Sequence, residues 1–253
     1  MVLSRVQFAF CVVFVFQTLL YCDAQKGHKN YDPISPLPFP TCRADDIDCL
    51  RRSLRSFFFL MDAGHFDMQP VDPVIINSVA LSLPEQHTSF LLRRVNVTGA
   101  RWTKLVGRRL FDLEGGNKNG VIFTSDLHLT GQISMEVAGR PEPHNAFITM
   151  DIRNVESNIT YSGMIQRGYD KEDYIVVGPE RIAVRNMRIP SYYLQPNTPD
   201  SYIIDDAIQQ QKSILDHFSN EITAALMHVV VDNFRLFAAK VPIKHYYKYF
   251  NEK

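Results

Sequence analysis

Residues 198–241 read TPDSYIIDDAIQQQKSILDHFSNEITAALMHVVVDNFRLFAAKV. Thr198 followed by Pro199 is a helix start, with a hydroxyl at the N-cap and a proline at N1, where a missing N–H costs nothing. Asp200, Asp205 and Asp206 then place negative charge near the positive end of the helix dipole. Apolar residues recur at Ile204, Ile208, Leu215, Phe218, Ile222, Leu226, Val230, Phe234, Phe237 and Val241. Their gaps are three, four or seven, the period of one helical face. No proline or glycine interrupts the run before Pro242. The spacing predicts one helix of about forty residues, roughly 60 Å long, where an ordinary helix has ~11–12 residues. Its apolar stripe needs a partner of similar length.

Val121–Val137 offers one. Val121, Phe123, Ser125, Leu127, Leu129, Gly131, Ile133, Met135 and Val137 hold the odd positions, with Ser125 and Gly131 thinning the dry face, while the even positions include Thr124, Asp126, His128, Thr130, Gln132, Ser134 and Glu136. Strict alternation gives a strand with one dry and one wet face. At ~3.3 Å per residue it spans roughly 55 Å. A strand so long must twist and coil, with a bend expected at Gly131.

Around this pair the chain falls into order. Gln25–Pro40 is a polar, then proline-rich, extended tail. Asp45–Phe66 carries Ile47, Leu50, Leu54, Phe57 or Phe58, and Met61 on one helical face, with Gly64 as the stop. Its run Phe57-Phe58-Phe59-Leu60-Met61 is apolar all round, so that end is expected to be covered on several sides or to face a ligand. Pro70–Pro84 is β-like, and Phe90–Leu105 holds two strands or one bent strand. Gly139–Pro143 is a turn. Ala146, Ile148, Met150 and Ile152 then alternate on even positions, but Val155, Ile159, Tyr161 and Ile165 on odd ones. The phase slips near Asn154, as one extra residue in a β-bulge makes it do. Arg167–Asp173 is a hairpin tip, and Tyr174–Val177 and Arg181–Ile189 are two further strands around Gly178-Pro179. The result is an α+β fold. A short N-terminal helix precedes a long, highly curved antiparallel sheet wrapped around the long C-terminal helix, with one elongated apolar interior.

Met1–Ala24 has the form of a secretory leader: Arg5, an apolar core from Val6 to Tyr21, then small residues at Cys22-Asp23-Ala24. Residues 25–253 would then form a single secreted domain. Of four cysteines, Cys11 and Cys22 leave with the leader. Cys42 and Cys49 remain as a C-x6-C pair, which in an oxidising compartment is a local disulfide. The zinc alternative would need four ligands. Asn96-Val97-Thr98 and Asn158-Ile159-Thr160 are glycosylation sequons expected at exposed positions. Leader removal takes one charge from each side of 27 basic and 27 acidic residues, so the chain stays neutral. A neutral chain has no electrostatic pull toward nucleic acid or an anionic membrane, and Arg51-Arg52, Arg93-Arg94 and Arg108-Arg109 read as solvated surface.

With these residues in view, the chain resembles the insect takeout and juvenile-hormone-binding protein family, which has a TULIP-type fold. The resemblance covers about Thr41 to Phe250. It is carried by the C-x6-C pair opening an amphipathic helix, by Pro70-Val71-Asp72-Pro73 before the first strand, and by the strand order. The last element is the terminal helix ending at Lys240-Val241-Pro242 before an aromatic tail. The resemblance implies a hydrophobic tunnel between helix and sheet, and extracellular transport of juvenile hormone, fatty-acid-like or terpenoid ligands. Lepidopteran hormone-binding members carry a second disulfide for which this chain has no cysteines after the leader, which points to the takeout-like branch.

Strand and helix phase nominate the tunnel wall: Phe123, Leu127, Leu129, Ile133, Met135, Ile148 and Met150 from the sheet, and Ile222, Leu226, Val230 and Phe234 from the helix. Trp102 and Tyr161 can each present a polar tip to a ligand oxygen. Catalytic signatures are missing: no G-x-S-x-G, no H-E-x-x-H and no glycine-rich phosphate loop. His217 and His228, eleven residues apart on one helix, are separated by ~16 Å, too far to share a metal. The sequence therefore reads as a monomeric, non-enzymatic carrier of a small lipophile, with no cofactor, no metal, no nucleic-acid partner and no membrane span. A secreted interaction protein whose own side chains fill the tunnel is the alternative. A lipid hydrolase would need a Ser or Cys beside a His in the cavity.

Overall fold

The alternating stretch is strand β4, Lys118–Val137, 20 residues long. It pairs antiparallel along its whole length with β5, His144–Arg167, of 24 residues. The pair is the spine of a seven-stranded antiparallel sheet. The computed structural model describes residues 37, 38, 40–43, 45–108 and 118–248, so the leader at Met1–Ala24 lies outside the described residues.

Shorter strands flank the spine end to end. On the β4 side lie β2 (Thr88–Thr98) and β3 (Lys104–Arg108), with β1 (Val74–Leu83) beyond β2. On the β5 side lie β6 (Asp173–Asn186) and β7 (Ser191–Gln195). Phe90–Leu105 is thus two strands, divided by a 3-10 turn at Ala100–Trp102. Tyr174–Ile189 differs from expectation: β6 runs unbroken through Gly178-Pro179. Its register shifts there, and β6 lies at the end of the sheet, where a missing N–H leaves no ladder bond unmade. Strand β7 had no forecast of its own.

The phase slip near Asn154 is a bulge in β5. Arg153 and Asn154 together oppose Asp126, and the Asn154 N–H donates to Asp126 Oδ1 at 2.7 Å, with Asn154 at φ 54°. The bend expected at Gly131 falls on its neighbour, where Arg94 and Val95 of β2 bulge opposite it. A Cβ on Gly131 would lie 3.2 Å from the Arg93 carbonyl oxygen, so the glycine makes room for that bulge.

Helix α1, Ile47–Asp62, begins on Asp46, whose carboxylate accepts the Cys49 N–H at 2.9 Å, and stops before Gly64 at φ 67°. The long C-terminal helix is two helices: α2, Pro199–Gln210, and α3, Ser213–Lys240. The Thr198 cap and the stop before Pro242 stand as read, but Gln211 leaves helical geometry at φ −135°. The break falls in the polar run from Gln209 to Ser213, between the buried Ile208 and Ile214, where no apolar side chain anchors the turn. Most helical stability in proteins comes from that anchoring. Helix α3 is long and apolar enough to cross a membrane by length and composition, yet Phe218, Ile222, Leu226 and Phe237 are buried within the curled sheet.

The turn before β3 is fixed by charge and space. Asp72 accepts the backbone N–H groups of Gly99 and Arg101 and the Arg101 Nε–H at 3.1–3.2 Å, while Arg101 also pairs with Asp62 at 3.3 Å. Gly99 sits at φ 97°, and a Cβ there would lie 2.5 Å from the Asp126 carbonyl oxygen. Gly99→Ala is expected to destabilise the protein by about 2–3 kcal/mol, read as a lower denaturation midpoint at unchanged m value.

Candidate functional site

Helix α1 has two faces, and the inner one borders a cavity of about 210 Å³. Leu50, Ser53, Leu54 and Phe57 form that wall, with Leu105 of β3 beside them. Val121 and Phe123 of β4, Ile159 and Tyr161 of β5, and Ile175 and Val177 of β6 make the sheet side. Val230, Val231, Phe234 and Phe237 of α3 close the third side. The remaining boundary is Tyr246 and Tyr247, in the segment following α3. None of these residues carries a formal charge, and the four polar side chains among them are Ser53 and three tyrosines.

The disulfide forms between Cys42 and Cys49, with Cα atoms 5.6 Å apart. It ties the start of α1 to a segment that pairs with the chain after α3. Cys42 N–H donates to the Tyr246 carbonyl at 3.2 Å, and Lys248 N–H to the Cys42 carbonyl at 2.8 Å. A parallel bridge between Cys42 and Tyr247 thereby holds the two tyrosines against the cavity.

Two phenols give the cavity its polarity. The Tyr246 hydroxyl is buried and has no hydrogen-bond partner among the described residues. Burial, reinforced by the neighbouring Tyr161 phenol, pushes its pKa far above the usual phenol value. Tyr161 keeps accessible surface although it lies deep in the protein, since it lines the cavity, and burial pushes its pKa up to about 12. Both are neutral hydrogen-bond donors at physiological pH. Ser53 is engaged elsewhere, donating to the Pro40 carbonyl at 3.3 Å and lying 3.0 Å from the Cys42 sulfur. Among the described residues, neither histidine nor cysteine lines the cavity. His217 contacts the Ala80 carbonyl oxygen and His228 contacts Glu180, on different parts of the sheet.

The residues nominated from sequence phase divide sharply. Phe123, Tyr161, Val230 and Phe234 line the cavity. Leu127, Leu129, Ile133, Met135, Ile148, Met150, Ile222 and Leu226 are 0–3 % exposed and pack in the core away from it. They occupy the opposite end of the β4–β5 spine, where β2, β7 and α2 cover the sheet. Of the aromatic run, Phe57 lines the cavity, Phe58 is buried and Phe59 is exposed. Trp102 does not face the cavity. It stands 54 % exposed on the outer surface, edge-on to Phe59 at 6.5 Å and beneath the Arg55 guanidinium at 5.1 Å, because the Gly99 turn points it outward. Tyr246 and Tyr247 were missed; the aromatic tail after Pro242 was their only sequence signal. Of the two sequons, Asn96 is exposed on β2, but Asn158 is half-buried, its Oδ1 shut from solvent between neighbouring strands β4 and β6.

The architecture matches a solved structure. Takeout 1 of Epiphyas postvittana superposes with a TM-score of 0.66 over 83 % of this chain and 99 % of its own, at 15 % identity. The chain has the fold of Takeout 1. A lipopolysaccharide-binding protein aligns more loosely, with a TM-score of 0.40 and 8 % identity over 76 % of this chain and 37 % of its own. The sequence matches no family model and no curated protein.

An unpartnered buried hydroxyl costs about 1–3 kcal/mol. Tyr246→Phe is therefore expected to stabilise the ligand-free protein by about 1 kcal/mol, a rise in Tm of about 2–4 °C for a domain of this size. The raised phenol pKa values act in the alkaline range. Their contribution is intact below the unfolded phenol pKa of about 10 and is lost as pH climbs through 10 and toward 12. Absorbance titration of tyrosinate is expected to show the Tyr161 and Tyr246 ionisations arriving together with alkaline unfolding.

Proposed function

We propose that this protein is a secreted, monomeric carrier for a small neutral lipophile bearing a hydrogen-bond acceptor oxygen. The observation that carries the reading is the uncharged, largely apolar cavity itself, with the Tyr161 phenol at its wall. A ligand oxygen accepts from that phenol, while the ligand's hydrocarbon gains ~25 cal/mol for each Å² removed from water. The volume of about 210 Å³ lies below the ~300–1,000 Å³ usual for drug-sized ligands, which favours a short chain over a long acyl tail. A buried carboxylate needs a cationic partner, and no lysine, arginine or histidine lines this wall. Esters, epoxides and ketones, including terpenoids of juvenile-hormone type, are favoured over ionised fatty acids. The second reading, an interior filled by the protein's own side chains, is favoured at the opposite end by the closely packed Leu127–Met150 region.

The test is recovery of the ligand. Protein purified from a lipid-containing source, denatured and extracted, is expected to release a stoichiometric lipophile identified by mass spectrometry. In refilling assays the methyl ester of a short-chain acid is expected to bind at least about tenfold more tightly than the free acid at neutral pH. Tyr161→Phe is expected to weaken ester binding by roughly tenfold or less. Protein repeatedly recovered empty, and binding neither ester, terpenoid nor acid, would overturn the carrier reading.

A further inference from the structure

The outer face of α1 carries a pattern that the cavity does not use. Asp48, Arg52, Arg55 and Phe59 recur at spacings of four, three and four, one exposed stripe of the helix. Arg51 lies next to that stripe and caps strand β3, donating from Nε to the Leu105 carbonyl at 2.9 Å. Strand β3 turns Lys104 and Val106 outward. Trp102 joins the two elements, with Arg55 over its ring and Phe59 at its edge. Phe59 and Val106 are each 46 % exposed.

Three arginines and a lysine thus surround an exposed Trp–Phe–Val cluster, and the acid on that stripe, Asp48, is already engaged by Arg51 at 2.9 Å. The formal neutrality of the chain conceals this local positive charge. Tryptophan and phenylalanine with arginine beside them suit the boundary between lipid headgroups and acyl chains. The rings enter the apolar layer, and the guanidinium groups stay at phosphate depth. Anionic headgroups complement the charge, at a strength that falls with salt.

From this we propose that the outer face of α1, with Trp102 and Val106, docks the protein peripherally on an anionic lipid surface. The same helix borders the cavity with Leu50, Leu54 and Phe57, so the docking surface and the lipophile site lie one helix diameter apart. Ligand passing between membrane and cavity need not cross open water. The transfer step rests on the carrier reading; the docking itself does not.

Trp102 is the only tryptophan of the chain, so its emission reports on this patch alone. Protein mixed with vesicles of phosphatidylcholine and phosphatidylserine at low salt is expected to show a blue shift of that emission and to sediment with the vesicles. Vesicles of phosphatidylcholine alone should bind it several-fold more weakly. Arg52→Glu removes one cation and adds an anion at a residue whose side chain is exposed, and is expected to weaken binding more than tenfold. Phe59→Ser is expected to reduce the blue shift while leaving the ligand-free fold and ester binding intact. Folded protein that neither shifts nor sediments with anionic vesicles overturns docking, whether or not a lipophile is extracted from it. A blue shift that follows protein concentration without lipid overturns it in favour of self-association.

Discussion

The dry face of the β4–β5 pair is the constraint on which the remaining structure depends. Two strands of 20 and 24 residues present an apolar surface far longer than an ordinary sheet, and a flat ribbon would leave most of it in water. Twist alone does not close it. The bulge at Arg153–Asn154 and the one at Arg94–Val95 add a residue to one strand at a time, so the sheet curls toward its apolar side. The curl then admits α3, and the inward stripe of α3 meets the inward positions of both strands. Each later element covers a length that this pairing leaves open: α2 and β7 at one end, α1 and the segment after Pro242 at the other.

The two ends are finished differently. At the end covered by α2, Phe90 and Phe218 pack among aliphatic and thioether side chains and the interior is filled. At the end covered by α1, Phe57, Phe123, Phe234 and Phe237 stand around a space. Phe57 meets Phe234 at a centroid distance of 6.1 Å and Phe237 at 5.3 Å, edge-on to both, which makes a rigid rim. The polar lining at this end is a local cost to stability. Among the described residues the Tyr246 hydroxyl is buried without a partner, a cost that this end of the fold carries.

Much of the frame was legible in the residues. Alternation marked β4, and the phase slip from Ile152 to Val155 located the β5 bulge, because period-two patterning flips with a single extra residue. The Thr198-Pro199 start and the Pro242 stop were equally plain. The break at Gln211 was not, since glutamine is a good helix former and the missing anchor appears only as a longer gap in an otherwise regular stripe. The site was less legible. Phase separates inward from outward positions, but whether an inward residue meets another side chain or a space depends on what crosses the sheet opposite it. Phe123 and Leu129 carry the same signal and have different surroundings. Trp102 was misplaced because an irregular turn, held by Asp72 and Gly99, decides its direction, and no periodicity describes such a turn.

The bridge between Cys42 and Tyr247 has a consequence for the order of assembly. Thr41 and His245 hydrogen-bond at 3.3 Å across a sequence separation of 204 residues, so the segments that bound the cavity at this end are made at widely different times. On a chain emerging residue by residue, α1 waits with half a wall until α3 has formed and the tyrosines behind it return to the disulfide. No pocket exists for a ligand to enter during most of synthesis. The cavity is therefore a property of the finished fold and not of any one segment.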